Sequence, residues 1–152
     1  MRYLKKEWYR NRCNYENAVG IEEYFEYKEK HLPKWYNEYS VHDDQIKGFT
    51  QMDDKIILEI VADDYKHTRY QLIFYNPHII EICELKNAWC LYDELYVSDN
   101  SCEYHLMVAD FNNNRIINYF TVKCSNLELF INGRTYKAIG NKEDKSIWDG
   151  CY

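Results

Sequence analysis

The sequence predicts an α+β fold in which N-terminal helices pack on one face of an antiparallel, meander-like β-sheet. Before residue 40, apolar residues recur at the three-to-four spacing of a helix face. After residue 45 they alternate with polar residues, and turn-forming residues recur roughly every ten positions, as in successive hairpins. The 152 residues are expected to form one domain, with a helical segment over 1–40, the sheet over 45–139 and a polar tail over 140–152.

Two helices are predicted in the N-terminal segment. The first runs from Leu4 to about Ala18 and breaks before Gly20. The second begins at Ile21, because a series of mostly apolar and aromatic residues then has the three-to-four spacing of one helical face: Ile21, Tyr24, Phe25, Tyr27, Lys28, His31 and Leu32. Pro33 either kinks this helix or starts a short new one that carries Trp35, Tyr36 and Tyr39. Trp8, Trp35 and Trp89 are expected in the core.

Eight strands are predicted downstream, separated by Asp, Asn, Ser and Gly residues that favour turns. They are Gln45–Gln51, Lys55–Ala62, Thr68–Tyr75, His78–Leu85, Trp89–Val97, Glu103–Ala109, Ile116–Lys123 and Leu127–Ile131. Alternation assigns an inner apolar face that includes Ile56, Leu58, Ile60, Tyr70, Leu72, Phe74, Trp89, Leu91, Leu95, Leu106, Phe120 and Leu129. The opposite face is expected to display tyrosines and carboxylates, and its candidate partner-binding residues are Tyr92, Glu94, Tyr96, Glu103, His105 and Tyr119.

Composition limits the class of partner. A net charge of -6 repels a phosphate backbone, so direct nucleic-acid binding is not expected. The 16 tyrosines suggest that many reach the surface, where tyrosine is a frequent interface residue. An acidic, tyrosine-bearing surface favours a basic protein partner.

The chain is expected to act in the cytoplasm without a membrane anchor. Its first 30 residues contain no apolar run of the secretory type, and no stretch of 18 apolar residues occurs. The six cysteines show no C-x-x-C spacing and are therefore expected to be reduced thiols: Cys13, Cys83, Cys90, Cys102, Cys124 and Cys151. No glycine-rich phosphate loop or dinucleotide fingerprint occurs, so no cofactor is predicted.

Three short motifs resemble an uncharacterised family of small bacterial proteins. They are Lys6-Glu7-Trp8-Tyr9, Leu32-Pro33-Lys34-Trp35 and His42-Asp43-Asp44-Gln45-Ile46. The resemblance implies a helix followed by a histidine-aspartate pair that leads into an antiparallel sheet. It also implies a bacterial origin, and it carries no established activity.

His42-Asp43-Asp44 is the strongest candidate for chemistry, because imidazole beside carboxylates can bind a metal or transfer protons. On an extended segment His42 and Asp44 point the same way and Asp43 points the other way, so the alternative catalytic pair is His42 and Asp44. The competing structural interpretation is that Asp43 or Asp44 caps backbone amides while His42 bonds a main-chain carbonyl. No metal site is assigned.

His105 could form an acid-base pair with Glu94 or Glu103 on neighbouring positions of the sheet. The function that the sequence favours is a non-catalytic protein-binding module, such as an immunity-type inhibitor of a toxin or nuclease. The alternatives are a small metal-dependent hydrolase with a site near His42 and Asp44, and a self-associating structural protein.

Overall fold

The computed structural model describes residues 21–110 and 116–140. The predicted helix over 4–18, with Trp8, and nearly all of the predicted polar tail lie outside these residues. The described part is an α+β structure with antiparallel strand pairing throughout, as predicted. Its helices and strands are α1 (Ile21–His31), α2 (Lys34–Glu38), β1 (Gln45–Gln51), β2 (Lys55–Val61), β3 (Arg69–Tyr75), β4 (His78–Glu81), β5 (Trp89–Ser98), β6 (Ser101–Asp110), β7 (Ile116–Cys124), β8 (Asn126–Ile131) and β9 (Arg134–Lys137).

The strands form a single sheet in the order β4-β7-β6-β5-β1-β2-β3-β8-β9. Near the middle of the sheet, the register of β1 and β5 contains only the pair Gln45–Trp89. This narrow corner joins two larger wings, one formed by β4, β7, β6 and β5 and the other by β1, β2, β3, β8 and β9. The wings pack against each other, because Phe74 of β3 lies 5.3 Å from Tyr104 of β6 and 5.8 Å from Phe120 of β7, measured between ring centroids. The curled sheet thus encloses its own apolar face.

The core follows the predicted inner face over most of the sheet. Ile56, Leu58 and Ile60 of β2 alternate as buried residues, and the same period continues in the neighbouring strands. The core also holds Leu72, Phe74, Leu95, Leu106, Phe120, Val122, Leu127 and Leu129. Burial of this continuous apolar surface is the main stabilising contribution to the fold.

A bulge in β5 reverses the predicted faces of Trp89 and Leu91. Cys90 pairs with Val108 and Tyr92 pairs with Met107, which leaves Leu91 as an extra residue on β5. Trp89 lies opposite Ala109, on the face away from the core, and Trp89 and Leu91 are absent from the core cluster. The prediction that they share the inner face with Leu95 is therefore wrong, because an extra residue shifts the alternation by one position.

The helix break predicted at Pro33 is confirmed, and a short second helix follows it. Pro33 has φ -64 and ψ 152 and precedes α2, since proline starts a helix well but cannot continue one. Trp35 is completely buried, and its indole N–H donates to the carbonyl of Lys137 in β9 at 2.9 Å. Together with Leu32 and Tyr36, Trp35 joins the core between the wings, as predicted for this residue.

The strand β9 was not predicted, although its turn was. Asn132 and Gly133 both have positive φ, 53° and 75°, which is the left-handed geometry of a two-residue hairpin. The hairpin returns the chain so that Arg134 pairs with Ile131. Only Tyr136 of this four-residue strand is buried, which leaves too short an alternation to identify a strand from sequence.

Candidate functional site

Four of the six predicted partner-binding residues form one polar cluster on the outer face of β5 and β6. The sheet register places Glu94 opposite His105 and Tyr96 opposite Glu103. Nε2 of His105 lies 2.7 Å from Oε1 of Glu103, and the Tyr96 hydroxyl donates to Oε2 of Glu94 at 2.8 Å. The pairing of His105 with Glu103 was one of two predicted from sequence, and it follows because residues two apart on a strand share a face.

His105 lies in an environment that disfavours its charged form. The residue is 7% exposed, and this burial lowers the pKa of its imidazole even though the neighbouring Glu103 carboxylate acts in the opposite direction. A neutral ring that donates from Nε2 to Glu103 leaves Nδ1 to accept from the hydroxyl of Thr121, 3.4 Å away. The other oxygen of Glu103 lies 3.6 Å from Nζ of Lys123 on β7, so this carboxylate has partners on both sides.

A pocket of about 340 Å³ opens beside this cluster, between α1 and the end of the β5–β6 hairpin. Two tyrosine rings, Tyr27 of α1 and Tyr96 of β5, stand 5.5 Å apart between centroids in its wall. Its other lining residues are Val97, Ser98, Ser101, Cys102, Glu103 and Lys123. The pocket therefore combines aromatic surface, hydroxyl groups and one charge of each sign.

Helix α1 borders the pocket because two of its tyrosines bind the open edge of β5. After Trp89, no residue of β5 is registered with β1, so the backbone N–H and C=O groups on this edge of β5 have no strand partner in the sheet. The amide of Leu95 donates to the Tyr24 hydroxyl at 2.9 Å, and the amide of Val97 donates to the Tyr27 hydroxyl at 2.8 Å. The Tyr27 hydroxyl in turn donates to the carbonyl of Val97 at 3.2 Å. Two side chains one turn apart thus satisfy a strand edge that would otherwise be unpaired.

The predicted face is less open than the alternation implied. Glu94 is fully buried and His105 nearly so, which corrects the expectation that both are displayed to solvent. Tyr92, Tyr96, Glu103 and Tyr119 are half-buried. Tyr92 lies apart from the pocket, with its ring 4.8 Å from that of His42, and Tyr119 pairs with Met107 on the far side of β6.

His42 pairs with Asp43, the residue that was expected to point away from it. Nδ1 of His42 lies 2.9 Å from Oδ2 of Asp43. Asp43 has φ 66, a left-handed conformation that abolishes the extended geometry assumed for this segment. The prediction that His42 and Asp44 rather than Asp43 converge is therefore wrong. His42 also bonds this carboxylate and not the main-chain carbonyl of the structural interpretation.

Asp44 has the capping role that the structural interpretation predicted, at a different place. Its carboxylate accepts the backbone amide of Asp63 at 2.9 Å and the hydroxyl of Tyr70, and so links β1 to the loop between β2 and β3. Burial raises the pKa of this carboxyl, and the two hydrogen bonds partly oppose the rise. Within residues 21–110 and 116–140, no group of three or more His, Cys, Asp or Glu side chains could hold a metal ion.

A half-buried carboxylate on the inner face, Asp93, was missed by sequence analysis. It lies on the inner face of β5, opposite Leu106, and accepts the hydroxyl of Tyr36 at 2.7 Å. Loss of solvent raises the pKa of its carboxyl, while the Tyr36 hydrogen bond and the charge of Lys28 act in the opposite direction. The sequence does place this aspartate inside a predicted strand, between Tyr92 and Leu95. Whether it faces inward or outward depends on the bulge at Leu91, which the sequence does not reveal.

None of the helices that the structure describes is sufficiently long and apolar to cross a membrane. Comparison of the chain with known protein families, with curated proteins and with solved structures found no match in any of the three.

Proposed function

We propose that this chain is a non-catalytic protein-binding module that acts in the bacterial cytoplasm as an immunity-type inhibitor of a basic toxin or nuclease. The observation that carries the proposal is the pocket between α1 and the β5–β6 hairpin, where Tyr27, Tyr96 and Glu103 meet. Tyrosine rings beside a carboxylate suit a cationic side chain of a partner, because the rings attract cations and the carboxylate pairs with them. A volume of about 340 Å³ is ample for one arginine or lysine side chain.

The exposed side of α1 extends this surface. Phe25 is 50% exposed, although the helical spacing grouped it with the buried residues. Exposed carboxylates precede and follow it on the same helix at Glu22, Glu23, Glu26 and Glu29. An accessible aromatic ring among acidic groups is typical of an interface anchor with a charged rim, and the rim accelerates encounter with a basic partner.

The hydrogen bonds of Tyr24 and Tyr27 to β5 support this assignment, because they fix both walls of the pocket before a partner arrives. A preformed site loses less conformational entropy on binding than a mobile one. The four described cysteines are free thiols, in keeping with the reducing cytoplasm of the proposal.

The test measures binding to the products of the genes adjacent to the one that encodes this chain. We expect one of them to bind with an affinity that falls as salt is added, since charge steers the encounter. Glu103→Gln should weaken this binding at least about tenfold, because it removes the carboxylate from the pocket. Glu84→Gln is the matched control: it makes the same change at an exposed carboxylate that does not line the pocket.

Two outcomes would contradict the proposal. If no adjacent product binds, and the chain does not protect cells that express those products, the inhibitor function is wrong. If Glu103→Gln weakens binding no more than Glu84→Gln does, the partner does not use this pocket.

Self-association is a second candidate, favoured by one observation at the edge of the sheet. β4 is a terminal strand of the sheet; Ile80 within it is 52% exposed, and Ile82, which follows its last residue, is 53% exposed. An apolar strand edge can pair with a second copy. Sedimentation at several concentrations should then give a dimer that Ile80→Lys abolishes and Met52→Lys, at another exposed apolar position, leaves intact. A monomer at every concentration excludes this function.

A further inference from the structure

Two cysteines lie directly opposite each other on adjacent strands. Cys102 of β6 pairs with Cys124 of β7 in the antiparallel register, and both belong to the core cluster. Both are reduced in the structure. They are 22 positions apart in the sequence, and the strand pairing brings them side by side at the end of the β6–β7 ladder.

The geometry of this pair meets the requirements of a disulfide. Directly opposed residues in an antiparallel pair have Cα atoms about 4.5 to 5.5 Å apart, and their side chains share one face. Disulfides span Cα separations of about 4.4 to 6.8 Å, so the backbone need not move.

The two sulfurs differ in reactivity. The hydrogen bond from the Cys124 thiol lowers the pKa of Cys102, with a smaller contribution from the Leu127 amide, and the same contact raises the pKa of Cys124. Cys90 is a useful contrast, because burial raises the pKa of its thiol. Since the thiolate is the reactive form, these directions favour Cys102 as the attacking sulfur.

A small oxidant has a route to this pair. Cys102 is almost completely buried, but it contributes to the wall of the pocket bordered by Tyr27 and Tyr96. Dissolved peroxide that enters this pocket is therefore adjacent to Cys102. Cys124 does not line this pocket, so we assign it as the resolving thiol.

We propose that Cys102 and Cys124 are a redox-modifiable pair that hydrogen peroxide converts into a cross-strand disulfide. The Cys102 thiolate attacks one peroxide oxygen, the O–O bond breaks, and the departing hydroxide takes a proton to become water. The sulfur of Cys124 then attacks the sulfenic sulfur of Cys102, the S–O bond breaks, and a second water leaves. Two thiols lose two electrons, and one peroxide gains them. This proposal does not rest on the inhibitor function.

The test uses the full chain, reduced, freed of reductant and treated with hydrogen peroxide. After proteolysis without reductant, mass spectrometry should find the peptides of Cys102 and Cys124 joined, with a mass lower by two hydrogen atoms than their sum. Dithiothreitol should separate them. In the Cys124→Ser variant the cross-link should be absent, and a sulfenic-acid probe should label Cys102 instead.

The wild-type measurement decides the matter even if the variant does not fold. If peroxide oxidises the more accessible Cys83 while Cys102 and Cys124 remain thiols, the inference is wrong. It is equally wrong if Cys102 cross-links to a different cysteine.

Discussion

Replacing Tyr24 by phenylalanine removes the hydroxyl that binds the open edge of β5. The substitution keeps the ring, which lies 5.7 Å from that of Tyr96, and removes only the hydroxyl that accepts the Leu95 amide at 2.9 Å. Leu95 is completely buried, so water cannot replace the lost acceptor. A buried amide without a partner costs about 1 to 3 kcal/mol. We therefore expect the free energy of unfolding to fall by about that amount.

The assay is urea denaturation of the variant beside two matched tyrosine-to-phenylalanine controls. Tyr27→Phe should cost less, because Val97 is half-buried and its amide can bind water instead. Tyr65→Phe should change stability by less than about 0.5 kcal/mol, since Tyr65 is 88% exposed. The m-values should match that of the wild type, because the surface buried on folding is almost unchanged.

Hydrogen exchange locates the effect within the chain. The Leu95 amide should exchange faster in Tyr24→Phe, while amides of β2 and β3 should keep the protection set by global unfolding. The reasoning is refuted if Tyr24→Phe costs no more than Tyr65→Phe, or if the Leu95 amide stays as protected as in the wild type.

Three further predictions concern stability. Because the pKa of Asp93 is raised in the native state, the contribution of this carboxyl to stability is lost as pH rises from about 4 towards neutral. Asp93→Asn keeps an acceptor for Tyr36 and does not titrate. Denaturation at several pH values should therefore show the stability of this variant, relative to the wild type, increasing over this range. Oxidation of Cys102 and Cys124 should raise stability by about 3 kcal/mol, because the cross-link restricts the unfolded chain, and a melting temperature that does not rise would contradict an unstrained disulfide. Gly133→Ala should destabilise by roughly 1 kcal/mol through backbone strain alone, since its φ is positive and no atom lies within 4 Å of the added Cβ. Calorimetry should show a similar cost for Gly140→Ala, because Gly140 also has a positive φ and open space around the added Cβ.

Sequence predicts most of the strands well because their signals are local. Alternation and turn residues place β1 over Gln45–Gln51 without error and the other seven predicted strands within a few residues. The sheet face of a residue is harder to predict than the strand to which it belongs, since the bulge at Leu91 moves Trp89 and Leu91 to the outer side. Bulges leave the composition of a strand unchanged, so the pattern contains no sign of them.

The candidate site shows the same division between local and long-range information. The contact of His105 with Glu103 could be predicted, because it depends on two positions of one strand. The binding of Tyr24 and Tyr27 to β5 could not, because it depends on which edge of a distant strand remains unpaired after the sheet curls. For Asp43, the error came from a single backbone angle that redirected one side chain.

The structure also changes what the abundance of tyrosine means. Among residues 21–110 and 116–140, Tyr65 is the only fully exposed tyrosine. Six others reach the surface with part of the side chain covered: Tyr27, Tyr39, Tyr75, Tyr92, Tyr96 and Tyr119. Tyr24 and Tyr27 bind the unpaired edge of β5. Tyr36 donates to the half-buried carboxylate of Asp93, and Tyr70 donates to the buried carboxylate of Asp44. Tyrosine is suited to this role, because its ring fills apolar space and its hydroxyl reaches a polar group.

A high tyrosine content is therefore explained largely by internal hydrogen bonding, and it no longer argues for an interface by itself. The binding proposal depends instead on the acidic side of α1 and on the pocket. Substituting Tyr96 would confuse the two roles, because its hydroxyl also serves the buried Glu94. Phe25→Ser and Glu103→Gln test binding without this complication, and both should weaken the complex if the proposed surface is used. Because Phe25 is exposed, its replacement should leave the stability of the free chain nearly unchanged.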